Sequence, residues 1–196
     1  MPFVDPLAVM LIGLAMSTLI GAFYFFFSAR GNFEHVRSLV IPAIVVGIFD
    51  AISGFEMSFA WPFPGGVAAY NMLFGDPLLL AGLVLIMAGV IGYRDPEHTH
   101  WNILPLLILL VGIYTLVGAY SIVQLKLESG NNLVTAMGLY LFDGIGAVLA
   151  PIMYLRPTKG ASKWLYYLEW IILGVGTVFA LVIGYMALNG HLASPP

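Results

Sequence analysis

The chain contains no cysteine and few charged residues. The absence of cysteine excludes disulfides, thiolate-bound zinc or iron–sulfur clusters, and a cysteine nucleophile. Charged side chains make up 9% of the 196 residues, against about a quarter in soluble domains. The seven lysines and arginines are spread over several connections and form no basic stripe, so we expect no nucleic-acid partner.

Common cofactor motifs are also missing. The sequence has no Walker loop, no dinucleotide-binding fingerprint and no HExxH pattern. A b-type haem needs histidines inside spans, whereas the histidines here lie near the ends of apolar stretches or in the C-terminal tail. We therefore expect no cofactor. His35, His98 and His100 could together bind a metal or sense pH. The alternative is that they are solvated loop residues.

Apolar residues dominate what is present, at 61% of the chain and a mean hydropathy of +0.98. A helix of about 20 apolar residues crosses a bilayer. Runs of that kind cover residues 7–27, 39–60, 77–93, 101–123, 133–154 and 163–188. The sequence therefore predicts an all-α, polytopic membrane protein with six transmembrane helices, formed as a single membrane domain over residues 1–196.

Basic residues between the predicted spans indicate an orientation. They follow the first, third and fifth spans, as Arg30, Arg37, Arg94, Arg156, Lys159 and Lys163. The other connections carry only Lys126. By the positive-inside rule the basic connections are cytoplasmic. We therefore expect a plasma-membrane protein whose N-terminus and C-terminus are both outside.

The second half of the sequence repeats motifs of the first in the same order. TLIGAF at 18–23 matches TLVGAY at 115–120, FD at 49–50 matches FD at 142–143, and VIGY at 90–93 matches VIGY at 182–185. These matches predict a three-plus-three repeat with half-units 1–95 and 96–196. Because each half has an odd number of spans, the second half is inverted, about an axis in the membrane plane.

Asp50 and Asp143 stand near the middle of the second and fifth predicted spans. A carboxylate at that depth costs about 2.5–3.5 kcal/mol on insertion scales, so it faces a bundle interior, an aqueous path or a partner. The repeat brings the two to the same depth, and we expect them to face each other across a shared cavity. Glu56, toward the outer end of the second span, and Glu169, more than a turn inside the sixth, are further candidates for binding a solute or ion there.

The connection over residues 59–76 is apolar, aromatic and broken by proline and glycine, unlike a solvated loop. We expect it to fold back onto the membrane or dip into it, with a short helix over residues 67–73. Its candidate outer-gate residues are Trp61, Tyr70, Asn71 and Asp76. Asp76 directly precedes Pro77 and also fits a cap at the start of the third span. An interfacial anchor or oligomer contact is the alternative.

The stretch YNMLFGDPLLL at 70–80, with Phe-Asp in the second span and six spans overall, resembles an uncharacterised family of small prokaryotic membrane proteins. The resemblance covers nearly the whole chain and implies membership without implying an activity. In size, span count and external termini the chain is also similar to the proton-gated urea and amide channels, at the level of the fold alone.

Three functions fit these features. The first is a channel or transporter for a small solute, proton or cation that binds at Asp50 and Asp143. The alternative is a structural or assembly subunit of a larger membrane complex, such as a respiratory complex, in which the aspartates bond to neighbouring spans. An intramembrane enzyme would need two carboxylates on facing helices. We expect no enzymatic activity, and partners limited to the bilayer, the solute, and copies of the chain or complex subunits.

Overall fold

The computed structural model describes residues 6–65, 68–94, 103–155 and 160–193. Every regular element in these ranges is a helix. They are α1 (Pro6–Ala29), α2 (Phe33–Ser38), α3 (Val40–Ala60), α4 (Ala69–Arg94), α5 (Leu104–Gln124), α6 (Gly130–Leu149) and α7 (Ala161–Ala193). A 3₁₀ segment, Ala150–Tyr154, continues α6.

Six helical segments of the described chain are long and apolar enough to cross a membrane. Helices α2 and α3 together form the second, and the 3₁₀ segment extends the fifth. The predicted all-helical, multi-pass architecture is therefore confirmed. The bounds predicted for five of the spans differ from the helices by a few residues at each end.

The third span departs from the prediction at its start. Helix α4 begins at Ala69, so Asp76 and Pro77 lie inside it. The predictions of a span starting at Pro77 and of a cap at Asp76 are therefore wrong. The short helix predicted for residues 67–73 is instead the first part of α4, with residue 67 outside the described ranges.

Successive spans run antiparallel and surround a common centre. Each span packs against the next along the chain, and α7 closes the arrangement by packing against α1. One end of the bundle carries Arg30, Arg37, Arg94 and Lys163. We call it the basic end. The connecting residues 61–65 and 125–129 lie at the opposite end.

Glycine brings α3 and α4 into close contact. Gly47 and Gly54 of α3 lie at heptad spacing, as do Gly75 and Gly82 of α4. A Cβ added at Gly47 would lie 2.9 Å from the carbonyl oxygen of Gly82, and one added at Gly54 would overlap the backbone of α4. Small residues let helix backbones approach in a membrane, where dispersion contacts rather than water exclusion drive association.

Toward the opposite end, an apolar cluster fills the centre of the bundle. Its buried members come from α1, α4, α5, α6 and α7, and they are Leu11, Ala15, Leu73, Ala119, Ile122, Ala136, Leu139, Tyr140 and Ala180. We call this cluster the apolar plug. Side chains at the opposite end of the bundle, including Leu7, Tyr70 and Leu127, pack around it. The plug leaves the bundle filled on this side.

Candidate functional site

Asp50 lies on the face of α3 that packs into the bundle. The buried residues of this helix recur every three or four positions, as Ala43, Gly47, Asp50, Gly54 and Met57. The other face carries exposed isoleucine and valine side chains suited to contact with lipid. This amphipathic pattern, rather than the repeat, fixes the inward direction of Asp50, whose side chain is fully buried.

The carboxylate of Asp50 contacts α1. Ser17 donates a hydrogen bond from its Oγ to Asp50 Oδ2. The other oxygen, Oδ1, lies beside Gly13, where an added Cβ would overlap it. No hydrogen-bond donor of the described chain reaches Oδ1. Gly13 and Ser17 are one turn apart on α1, so that turn forms a small recess that accommodates the buried carboxylate.

A second polar contact joins α1 to α7 at the same depth. The hydroxyl groups of Thr18 and Thr177 lie 2.9 Å apart. Thr177 also donates to the backbone oxygen of Leu173, at 2.9 Å. Beside Thr177, Gly176 packs directly against the carboxylate of Asp143. Asp50, the two threonine hydroxyl groups and Asp143 therefore lie in one layer across the middle of the bundle, with α1 and α7 between the two aspartates.

Asp143 stands near the middle of the fifth span, and its side chain is half-buried. Its Oδ1 is buried and meets no donor among the residues that the structure describes. The side chain lines a cavity of about 240 Å³ in the centre of the bundle. Asp50 lies behind the wall of this cavity, since Ser17, its hydrogen-bond partner, is a lining residue.

The cavity extends from the apolar plug to the basic end. Near the plug it is lined by Leu14, Phe74 and Leu139, and near the basic end by Val36 and Met153. The polar side chains in the wall are those of Ser17, Thr18, Tyr24, Thr115, Tyr140, Asp143 and Glu169. The volume is sufficient for several water molecules or a small solute. No lysine, arginine or histidine of the described ranges lines it.

Glu169 is the second carboxylate in the cavity wall. Only 1% of this residue is exposed, and neither carboxylate oxygen meets a hydrogen-bond donor within the described part of the chain. Its Oε1 lies next to Gly146, where an added Cβ would come within 3.1 Å. Gly146 is one turn beyond Asp143 on α6. The structure therefore places Glu169 and Asp143 in the wall of the same cavity, whereas sequence reasoning paired Asp143 with Asp50.

The predicted outer-gate residues hold the opposite end together and lie outside the cavity wall. Asn71 is fully buried. Its side chain accepts a hydrogen bond from the backbone N–H of Phe63 at 3.0 Å and donates to the Phe63 oxygen at 2.7 Å. It thereby fastens the connection 61–65 to α4. Trp61 directly follows α3 and has a left-handed backbone conformation, with φ of 52°.

Two tyrosines link helix α4 to its surroundings. Tyr70 donates a hydrogen bond to Glu128, which joins the first turn of α4 to the connection 125–129 at the opposite end. Tyr114 of α5 donates to Asp76 Oδ2 at 2.7 Å. Asp76 therefore bridges α4 and α5 rather than capping a helix. These contacts hold the first turns of α4 against α5 and the connection 125–129. Such an arrangement fits either a gate or a fixed closure of this end of the bundle.

Glu56 and His35 lie apart from the cavity. Glu56 is exposed on α3. The Nδ1 of His35 is 2.8 Å from Asn32 Oδ1, and its ring lies 5.0 Å from that of Phe27. His98 and His100 are outside the described residues. Within the described ranges, no three histidine or acidic side chains cluster as a metal site requires.

Sequence reasoning missed Tyr140, which makes the proline inside α4 tolerable. Pro77 has no N–H, so the backbone oxygen of Leu73, four residues earlier, loses its helical partner. Tyr140 of α6 donates its hydroxyl proton to that oxygen. An unsatisfied carbonyl at membrane depth is costly. The hydroxyl from a distant span therefore allows α4 to continue past Pro77.

Replacing Tyr140 by phenylalanine is expected to lower the free energy of unfolding in detergent by about 1 kcal/mol, because the Leu73 oxygen loses its donor. In a Pro77→Ala background, the new N–H at position 77 can bond to that oxygen. Tyr140→Phe should then cost clearly less. A double-mutant cycle of unfolding free energies measures the coupling, and equal costs in both backgrounds would contradict this account.

Comparison with known proteins identifies the family of the chain. No match was found among curated proteins, and none among solved structures. One family model covers residues 1–194, almost the full sequence, and it is described as a protein of unknown function, DUF981. This match bears out the family membership that the YNMLFGDPLLL stretch suggested. The chain belongs to the DUF981 family.

Proposed function

We propose that the protein is a carrier for a small cation, with the central cavity as its binding site. The observation that supports this proposal is a pair of carboxylates, Asp143 and Glu169, in the wall of a cavity that no basic side chain of the described chain lines. Buried carboxylates in a membrane are expensive unless a cation or donor compensates them. A bound cation would supply that compensation.

The shape of the cavity favours a carrier over an open channel. The apolar plug fills the bundle toward the opposite end, whereas the cavity extends to the basic end. Such an arrangement suits a state in which the site is accessible from one side only, as alternating access requires. Opening toward the other side would need movement of the first turns of α4, and Pro77 provides a natural hinge there.

The proposal also includes an orientation of the bundle in the membrane. By the positive-inside rule, we propose that the protein lies in the plasma membrane with its basic end facing the cytoplasm and both termini outside. The inverted three-plus-three repeat stays a prediction. The carrier does not depend on it, since Asp143 and Glu169 both belong to the second predicted half-unit. The close neighbours of the two aspartates also differ, with α1 beside Asp50 and α7 beside Asp143.

Asp50 has a different role in this proposal from Asp143. Its Oδ2 is already bonded to Ser17, so it holds α1 against α3. This contact is the observation that favours the alternative, a structural subunit whose polar side chains serve packing. A packing role does not explain Asp143 and Glu169 in the same way, because the described chain supplies no hydrogen-bond donor to Asp143 Oδ1 or to either oxygen of Glu169.

The test is cation flux in proteoliposomes that contain the purified protein. Uptake of radiolabelled sodium and of radiolabelled butylammonium, and proton movement reported by a trapped dye, cover three classes of cation. Neutralising both wall carboxylates, as Asp143→Asn with Glu169→Gln, should reduce the flux at least tenfold, because a desolvated cation would lose both of its counter-charges.

Glu56→Gln is the matched control, since Glu56 is an exposed carboxylate of the second span. It removes one negative charge from the outside of the bundle and should leave the flux unchanged. Size-exclusion chromatography verifies that all variants fold. Flux equal to that of empty liposomes for all three cation classes, or flux unaffected in the double variant, would refute the carrier and leave the structural subunit.

A further inference from the structure

We infer that the cation bound in the cavity is a small organic ammonium ion with N–H donors and an apolar body, rather than a metal ion. The inference rests on the proposed binding role of the cavity. Its starting point is Glu169, which is 1% exposed, lines the cavity and has two carboxylate oxygens without a donor in the described chain. A protonated primary amine supplies three N–H donors and a positive charge.

The wall around Glu169 is poorly suited to a metal ion. Hard cations take six or more oxygen ligands that converge at about 2.0–2.6 Å. Next to the Glu169 carboxylate lie the backbone of Gly146 and the side chain of Leu173, neither of which offers a side-chain oxygen. No acidic or histidine cluster of three exists in the part of the chain that the structure describes. A metal ion would therefore keep much of its water shell in an apolar cavity.

The hydroxyl groups of the wall are largely committed to partners within the bundle. Thr115 donates to the Val111 oxygen at 2.9 Å, Ser17 to Asp50 and Tyr140 to the Leu73 oxygen. They hold helices together instead of converging on one point. The carboxylate oxygens of Glu169 and Oδ1 of Asp143 are the buried side-chain atoms of the wall for which the described chain provides no donor, and they suit an ammonium group.

The rest of the wall suits the apolar body of such a cation. Phe25, Phe74 and aliphatic residues of α4, such as Val84 and Leu85, line the cavity. Aromatic faces also attract ammonium groups through their quadrupole, by about 0.5–2 kcal/mol depending on desolvation. An alkylammonium ion can therefore place its charged end at Glu169 and its chain against apolar side chains, without stripping a metal-like hydration shell.

The test is binding to the purified wild-type protein in detergent, measured by isothermal titration with butylammonium. Butanol and sodium ion are the matched probes: the first keeps the chain without the charge, and the second keeps the charge without the chain. We expect butylammonium to bind and neither probe to displace it. Glu169→Gln should weaken butylammonium binding at least tenfold, whereas Glu56→Gln should leave it unchanged.

The outcomes separate this inference from the carrier proposal. Binding that Glu169→Gln weakens, without flux in proteoliposomes, would support the ammonium site and refute transport. Flux of protons or sodium ions without butylammonium binding would support transport and overturn the ammonium inference. Displacement of butylammonium by an equal concentration of sodium, or equal binding to wild type and a folded Glu169→Gln variant, would also overturn it. The competition uses wild-type protein alone, so it decides the matter even if Glu169→Gln does not fold.

Discussion

Gly82→Val, combined with Gly54→Val, is expected to abolish the folded bundle. A Cβ at Gly82 would overlap the backbone nitrogen of Ala51, and one at Gly54 would overlap the backbone nitrogen of Leu79. Backbone atoms cannot turn aside as a flexible side chain can, so α3 and α4 would have to separate along their whole contact. Overpacking normally costs about 1–3 kcal/mol per site and occasionally more. Two such sites against backbone atoms therefore remove much of a free energy of unfolding of about 5–15 kcal/mol.

Size-exclusion profiles and thermal unfolding in detergent measure this effect. Each single variant should lower the unfolding midpoint, and the double variant should give no monodisperse protein. Gly174→Val is the matched control, since α7 leaves open space around that glycine and no neighbouring atom lies within 4 Å of an added Cβ. A double variant that unfolds at the wild-type temperature would show that α3 and α4 do not depend on close glycine contact.

The spans were predictable because apolar length is a strong signal, and the error in α4 has a definite physical cause. Proline usually starts a helix or breaks one, so Pro77 was taken as a start. What keeps α4 continuous is a hydroxyl group from Tyr140, which lies 67 residues beyond Leu73, the residue whose backbone oxygen it bonds. No local pattern around Pro77 carries that information, because the partner is brought there by tertiary packing.

The depth of the candidate carboxylates in the membrane was predictable from the sequence, whereas which of them share a cavity was not. The cost of a carboxylate inside a membrane singled out Asp50, Asp143 and Glu169 from the sequence. Which of them share a cavity depends on how α6 packs against α7, and the repeat directed attention to Asp50 instead. The spacing of Asp50 from Gly47 and Gly54 did contain the signal that it lies on the glycine-rich, buried face of α3.

Glycine connects the packing of the bundle to its carboxylates. Asp50 lies against Gly13, Asp143 against Gly176 and Glu169 against Gly146. Small residues in this bundle therefore do more than let helix backbones approach. In each of these three places the missing side chain leaves room for an acidic group from the neighbouring helix. Any larger residue there would displace the carboxylate, so the same glycines serve both helix contact and the polar interior.

The proposed one-sided cavity predicts one-sided chemical labelling, which the cysteine-free chain makes simple to measure. Thr115→Cys places a thiol in the cavity wall. Ile122→Cys places one two turns further along α5, in the apolar plug, where the residue is 0% exposed. A small, membrane-impermeant cationic methanethiosulfonate should modify Thr115→Cys completely from the basic end and not from the opposite end, because water reaches the cavity from one side only. Ile122→Cys should stay unmodified from both.

Inside-out and right-side-out vesicles separate the two directions of approach, and mass spectrometry of the purified protein gives the modified fraction. Ser129→Cys supplies the control for the opposite end, since Ser129 is exposed in the connection before α6. It should react only where Thr115→Cys does not. Reaction of both from the same side would place the cavity opening at the wrong end. Reaction of Thr115→Cys from both sides would mean a continuous pore, in which case the plug does not close the path and a channel replaces the carrier.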